Sequence, residues 1–115
     1  MKKDNKKKLS LKKLRKEHKV WSTYNFGKQP TYISVYGIME ELGELSHAQA
    51  KDELGIRGTP EELKMKKKSA IADIVIYLAE YCRSLDMKLD ECVAWKWEIV
   101  KKRDFKKYPM SGEPL

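Results

Sequence analysis

The stretch SAIADIVIYLAEYC, residues 69–82, decides the fold. At 100° per residue, its apolar side chains point in nearly every direction, and only Asp73 and Glu80 share the narrow polar stripe that remains. A helix that is apolar on all sides is normally buried. The stretch therefore predicts a central helix that other helices surround.

The flanking sequence predicts three more helices and no strand. Residues 59–62, Thr-Pro-Glu-Glu, form a capping box with proline at the first helical position, and the central helix should run from there to about Leu85. Ser10 can cap a helix that stops before Gly27. Pro30 can begin a second helix that runs to about Lys51. A further helix should run from near Asp90 to about Lys107, where Pro109 ends it. The pattern predicts an all-α, four-helix bundle-type subunit.

Length and charge divide the chain into two parts. The 115 residues suit one small domain, which we assign to residues 9–115, after a basic tail over residues 1–8 that we expect to be disordered. Residues 1–19 contain ten Lys or Arg against two acids, a net charge of +8, so the rest of the chain is neutral. The tail could bind nucleic acid weakly or serve only as a solvated segment.

Several classes of protein are excluded by composition. The longest apolar stretch is about half of the roughly 20 residues that a membrane span needs, and no signal peptide is visible. Cys82 and Cys92 lack metal or redox spacing, so we interpret them as reduced, mostly buried thiols. We therefore expect a cytoplasmic protein with no membrane partner.

An acidic face follows the second helix. Glu40, Glu41, Glu44 and His47 lie opposite an apolar stripe, in line with Gly37 and Ala48; the stripe consists of Val35, Ile38, Met39, Leu42 and Leu45. One interpretation is an ordinary amphipathic helix whose acidic face is in water. The other is a set of metal ligands shared with the central helix.

Asp73 favours the metal interpretation. An unpaired carboxylate in a core costs several kcal/mol, so a buried Asp73 needs a cation, a hydrogen-bond network or water. Carboxylate-only ligands favour Mg²⁺, with Mn²⁺ as a second choice. On the fourth helix, Lys96, Arg103 and Lys107 follow the inward face that Leu89, Val93, Trp97 and Val100 predict, as snorkelling stems or as phosphate ligands.

Three segments together resemble the MazG-like all-α nucleoside triphosphate pyrophosphohydrolases. Residues 40–44, Glu-Glu-Leu-Gly-Glu, are similar to the E-E-x-x-E motif, and residues 70–78 to the acidic helix that follows it. Residues 100–109, which end in Tyr-Pro, are similar to the basic closing segment of the family. The resemblance covers about residues 9–109.

The resemblance implies a Mg²⁺-dependent homodimer or homotetramer that cleaves between the α and β phosphates and releases a nucleoside monophosphate and pyrophosphate. Glu41, Glu44 and Asp73 would be metal ligands, Glu40 would bind a further metal or help activate water, and Glu40 and Glu41 would be the catalytic residues. The implied phosphate contacts are Lys96, Lys101 and Arg103, and the supporting residues are His47, Glu80 and Asp104.

Two positions depart from the family pattern. Ala70 stands where the family has a glutamate, and Asp104 stands where many relatives have asparagine. Water can replace a protein ligand of Mg²⁺, so activity with weaker metal binding is compatible with Ala70. Two alternatives remain. Glu44 and His47 match half of a di-iron E-x-x-H pair, and a catalytically silent helical oligomer could bind nucleic acid through its basic arm.

Overall fold

The computed structural model describes residues 8–115, and this part of the chain contains helices and no strand. The all-α prediction is therefore confirmed for these residues. The tail predicted over residues 1–8 lies outside them except for Lys8. The helices are α1 (Leu11–Phe26), α2 (Tyr32–Leu54), α3 (Pro60–Ser84) and α4 (Leu89–Val100).

The starts of α1 and α3 are the ones that the capping signals predict. The Ser10 hydroxyl accepts a hydrogen bond from the Lys13 amide at 3.0 Å. At α3, the Thr59 hydroxyl accepts from the Glu62 amide at 3.1 Å, while the Glu62 carboxylate accepts from the Thr59 amide at 2.8 Å. These bonds satisfy amides that lack partners within the first helical turn.

The ends of α2 and α4 differ from the prediction. Helix α2 continues to Leu54, where Gly55 adopts a left-handed φ of 68° and stops it. Helix α4 ends at Val100, seven residues before the predicted end at Lys107. After Val100 the backbone changes to three-residue turns, in which the Arg103 amide donates to the Val100 carbonyl, and Asp104 Oδ1 then accepts the backbone N–H groups of residues 106 and 107 in a separate turn.

Helix α3 is the centre of the structure. Helix α2 packs along it, and α1 and α4 contact both α3 and each other. Among the described residues, no Cα atom of α2 lies within 8 Å of one in α1 or α4. The buried side chains of α3 are Leu63, Ala70, Ala79 and Cys82.

The apolar faces are less covered than the sequence predicts. The buried residues of α2 include Gly37 and Ala48, on the side of its acidic face, whereas Met39 and Leu42 of the apolar stripe are 67% and 55% exposed and the rest of the stripe is half-buried. On α3, Ile71 is also exposed. The prediction that Val93 and Trp97 of α4 face inward is wrong, because both side chains are exposed. The single chain supplies no helix that covers them. The single chain thus leaves much apolar surface open.

No helix among residues 8–115 has the length and apolar character that crossing a membrane requires. Both cysteines are free; Cys82 is buried and Cys92 is half-buried, as predicted for reduced thiols.

Candidate functional site

Two carboxyl groups from neighbouring helices meet at the α2–α3 contact. Glu41 lies one turn after Gly37 on α2, and Asp73 lies one turn before Tyr77 on α3. The ring of Tyr77 occupies the space beside Gly37 that a side chain would fill, which brings the helices close together. As a result, the Glu41 and Asp73 carboxyl groups are near enough to share a hydrogen bond.

The electrostatic effect of this arrangement falls on Glu41. Burial raises the pKa of Glu41 above its usual value, and the charge and hydrogen bond of Asp73 raise it further. The charges of Glu44 and Glu40 act in the same direction. Neighbouring negative charge therefore disfavours the ionised form of Glu41, an effect that a bound cation would offset.

The pair opens into a polar cavity of about 350 Å³ between α2 and α3. Glu44 and His47 also line this acidic cavity, where the sequence predicts them. Two cations in the wall, Lys51 and Lys66, were missed by the sequence analysis. The spacing of these lysines could have predicted their place. Lys51 is seven residues from Glu44 and Lys66 is seven from Asp73, so each lies two helical turns away on the same face as its acid.

The residues fit a loosely held Mg²⁺ ion better than a tightly caged metal. Within the described range, no three His, Cys, Asp or Glu side chains already converge as a metal site. Mg²⁺ commonly takes only one or two protein carboxylates and completes its shell with water and substrate phosphates. Glu41 and Asp73 can supply those two, with Glu44 beside them.

The predicted phosphate ligands lie elsewhere in the single chain. Lys96 is placed over the Trp95 ring, 5.8 Å from its centroid, and Lys101 pairs with Glu98 at 2.7 Å. Arg103 follows α4, and its Nε lies 4.0 Å from the Glu113 carboxylate. None of the three lines the acidic cavity, and α4 does not contact α2.

The other predicted site residues have different positions. Glu40 is exposed beside the acidic cavity, and its charge reaches Glu41. Glu80 lines a separate cavity at the far end of α3. Asp104 holds the turn after α4 through its own carboxylate. Among the supporting residues, His47 is the one in the acidic cavity.

Asp73 connects the acidic cavity to an apolar neighbour, which Tyr77 also lines. Burial raises the pKa of Tyr77, and nearby carboxylates led by Glu41 raise it further, so the phenol keeps its proton and can donate a hydrogen bond. Tyr77 and Asp73 both line a second cavity of about 540 Å³, the aromatic cavity. Its apolar wall comes from α1 and α3 and consists of Leu14, His18, Trp21, Phe26 and Ile76 together with Glu17 at the edge.

Comparison with known proteins gives no relative for this chain. No protein-family model, curated protein or solved structure matches it significantly.

Proposed function

We propose that this protein is a Mg²⁺-dependent nucleoside triphosphate pyrophosphohydrolase that releases a nucleoside monophosphate and pyrophosphate. The observation that carries the proposal is the meeting of Glu41 and Asp73 in a cavity that also contains Lys51 and Lys66. Carboxylates that hold a divalent ion, with cations that attract phosphate, are the parts that metal-assisted hydrolysis of a phosphate anhydride requires.

Glu41, Asp73 and Glu44 would hold the ion, and Mn²⁺ would suit the same oxygen ligands. When bound, the ion supplies charge neutralisation at the phosphoryl oxygens and a bound water of lowered pKa. The protein's own contribution is to orient the water through the Glu40 and Glu41 carboxylates and to attract the polyphosphate through Lys51 and Lys66.

The aromatic cavity supports a nucleoside substrate. It shares Asp73 with the acidic cavity, so a ligand could place phosphates in one and a base in the other. Trp21 and Phe26 stand edge to face with centroids 5.6 Å apart, and their apolar surfaces suit a flat ring.

The proposal includes association of the chain with a second copy of itself. Part of the apolar stripe of α2 is uncovered: Met39 and Leu42, together with the nearby Tyr36, are each more than half exposed. Exposed apolar residues in one contiguous patch mark association surfaces. A homodimer or homotetramer would cover this stripe, and a partner's Lys96, Lys101 and Arg103 could then reach the acidic cavity.

The decisive experiment is a panel of nucleoside triphosphates with Mg²⁺, scored separately for pyrophosphate and orthophosphate. Pyrophosphate from at least one substrate, lost when Mg²⁺ is chelated, would support the proposal. Orthophosphate alone would indicate cleavage at a different bond. No product from any substrate, in the presence of Mg²⁺ or Mn²⁺, would contradict it.

The second candidate function is a silent helical oligomer that binds nucleic acid. Its support is the exposed lysines Lys12, Lys16 and Lys19 on α1, which extend the charge of the N-terminal segment. Deleting residues 1–8 distinguishes the two functions. An enzyme keeps its turnover, whereas a nucleic-acid-binding protein loses most of its affinity, and that affinity should fall steeply between low and physiological salt.

A further inference from the structure

A second polar cavity, of about 330 Å³, lies where the ends of α1 and α3 meet the beginning of α2. We call it the basic cavity because its wall contains three cations, Lys19, Lys28 and Arg83, against one carboxylate, Glu80. It shares no residue with the acidic cavity. The basic cavity is therefore a separate site with the opposite charge.

Two serine residues that are themselves almost fully buried line the basic cavity with their hydroxyl groups. Ser22 and Ser34 line it, and their exposed fractions are only 4% and 3%. The side-chain hydrogen bonds within residues 8–115 include neither hydroxyl, although the neighbouring Ser84 hydroxyl donates to the Tyr81 carbonyl. Neither hydroxyl is among the buried polar atoms without a partner in residues 8–115, so both are open to the cavity and can bond to a ligand there.

The cations of the basic cavity are also available to a ligand. Within the described residues, Lys19 and Lys28 form no ion pair. Arg83 has its Nη1 3.1 Å from Nδ1 of His18, and because a guanidinium can only donate, His18 accepts in its neutral form. Arg83 also forms no ion pair within residues 8–115, so its charge is available to an anion.

The start of α2 strengthens the preference for an anion. Thr31 precedes the helix and provides no side-chain cap, and of the first turn the Ile33 amide donates to the Pro30 carbonyl at 3.1 Å. Helix N-termini favour negative charge. The wall charge, three cations minus one carboxylate, is +2.

We propose that the basic cavity binds a small phosphate monoester, such as a sugar phosphate. The phosphate group lies against Lys19, Lys28 and Arg83, and the hydroxyl-bearing remainder bonds to Ser22 and Ser34. The volume is at the lower end of the roughly 300–1,000 Å³ that small-molecule pockets span, which suits a ligand larger than bare phosphate. This binding is independent of the proposed hydrolysis.

The test is calorimetric titration of the full chain with ribose 5-phosphate, and with inorganic phosphate and ribose for comparison. Chelator and about 150 mM salt keep divalent ions from the acidic cavity and screen weak surface binding. We expect ribose 5-phosphate to bind more tightly than inorganic phosphate, and ribose to show no binding. The paired variant Lys19→Gln with Lys28→Gln should weaken binding at least about tenfold, or about 1.4 kcal/mol.

Two further variants separate a built site from general attraction. Lys68→Gln removes one exposed charge from α3 outside the basic cavity and should leave the affinity nearly unchanged. Glu80→Gln should strengthen binding, because it removes the one carboxylate from the wall. Absence of binding to the full chain at millimolar ligand would overturn the proposal. The proposal would also be overturned if Lys68→Gln weakened binding as much as the paired lysine variant does, or if the paired lysine variant left binding unchanged.

Discussion

Gly37 and Tyr77 lie against each other, so that a Cβ atom added to Gly37 would be 2.6 Å from Cε1 of the tyrosine ring. This contact lies one helical turn from both Glu41 and Asp73. It therefore sets the distance at which the two carboxyl groups meet, and it links the packing of α2 on α3 directly to the candidate metal site.

The first prediction concerns this contact. Gly37→Ala should lower the free energy of unfolding by about 1–3 kcal/mol, because the ring or the helix must move. Gly43→Ala is the matched control on the same helix, with no atom within 4 Å of the added Cβ, and should raise stability by about 0.5–1 kcal/mol through helix propensity. Urea denaturation measures both, and equal effects of the two variants would contradict the packing argument.

The second prediction concerns the carboxylate pair. Asp73→Asn and Glu41→Gln should each reduce pyrophosphate release at least about a hundredfold, since loss of one charge-stabilising group commonly has that effect. Both variants should keep the fold, because they relieve repulsion between like charges. Glu61→Gln, an exposed acid in the first turn of α3, is the control. Near-normal turnover in either site variant would remove the metal-site assignment.

The third prediction concerns Ala70, which is 1% exposed at the α2–α3 contact. Ala70→Glu buries a carboxylate and should lower the melting temperature without metal. If the acidic cavity holds Mg²⁺, the new ligand should tighten binding, and Mg²⁺ should restore more of the lost stability than in the parent protein. Ala72→Glu, at an exposed position, should show neither effect. A Mg²⁺ response that is the same in all three proteins would argue against a metal at position 70.

The fourth prediction concerns pH and His18. Burial lowers the pKa of His18 below 6.5; the charge of Glu80 opposes this, and the charge of Arg83 adds to it. The unfolded chain therefore binds the proton more readily, so stability is fully present above about pH 6.5 and falls as the pH drops toward the folded pKa.

His18→Gln should flatten this pH dependence of the melting temperature while keeping an acceptor for Arg83. His47→Gln, at an exposed position, should preserve the slope. The prediction is wrong if the parent protein is equally stable on both sides of pH 6.5, or if the two variants behave alike.

The fifth prediction concerns association. Light scattering at micromolar concentration should give a dimer or larger species, and Met39→Glu with Leu42→Glu should convert it to monomer by placing charges on the exposed stripe of α2. Val20→Glu, at a position 72% exposed on α1, serves as control and should not change the mass. A parent protein that is strictly monomeric would exclude the second copy.

Local sequence determined where most helices begin and which of their residues are acidic. Ser10 and Thr59 act within one turn, and a capping interaction needs no distant partner. The helical period also placed Glu41, Glu44 and His47 on one face. The conformation of the chain after α4 could not be predicted in this way. The Asp104 amide donates to the Gly112 carbonyl, and the period of a helix gives no information on a contact between residues eight apart.

Only the tertiary structure decided which face of α2 meets α3. Amphipathicity alone favours burial of the apolar stripe, whereas close approach of two backbones requires small residues, and Gly37 and Ala48 lie on the acidic side. Packing therefore half-buries Glu41 against Asp73 and brings Lys51 and Lys66 to the same cavity. A linear pattern records the period of each helix, but the pairing of faces depends on which side chains leave room for a neighbouring backbone.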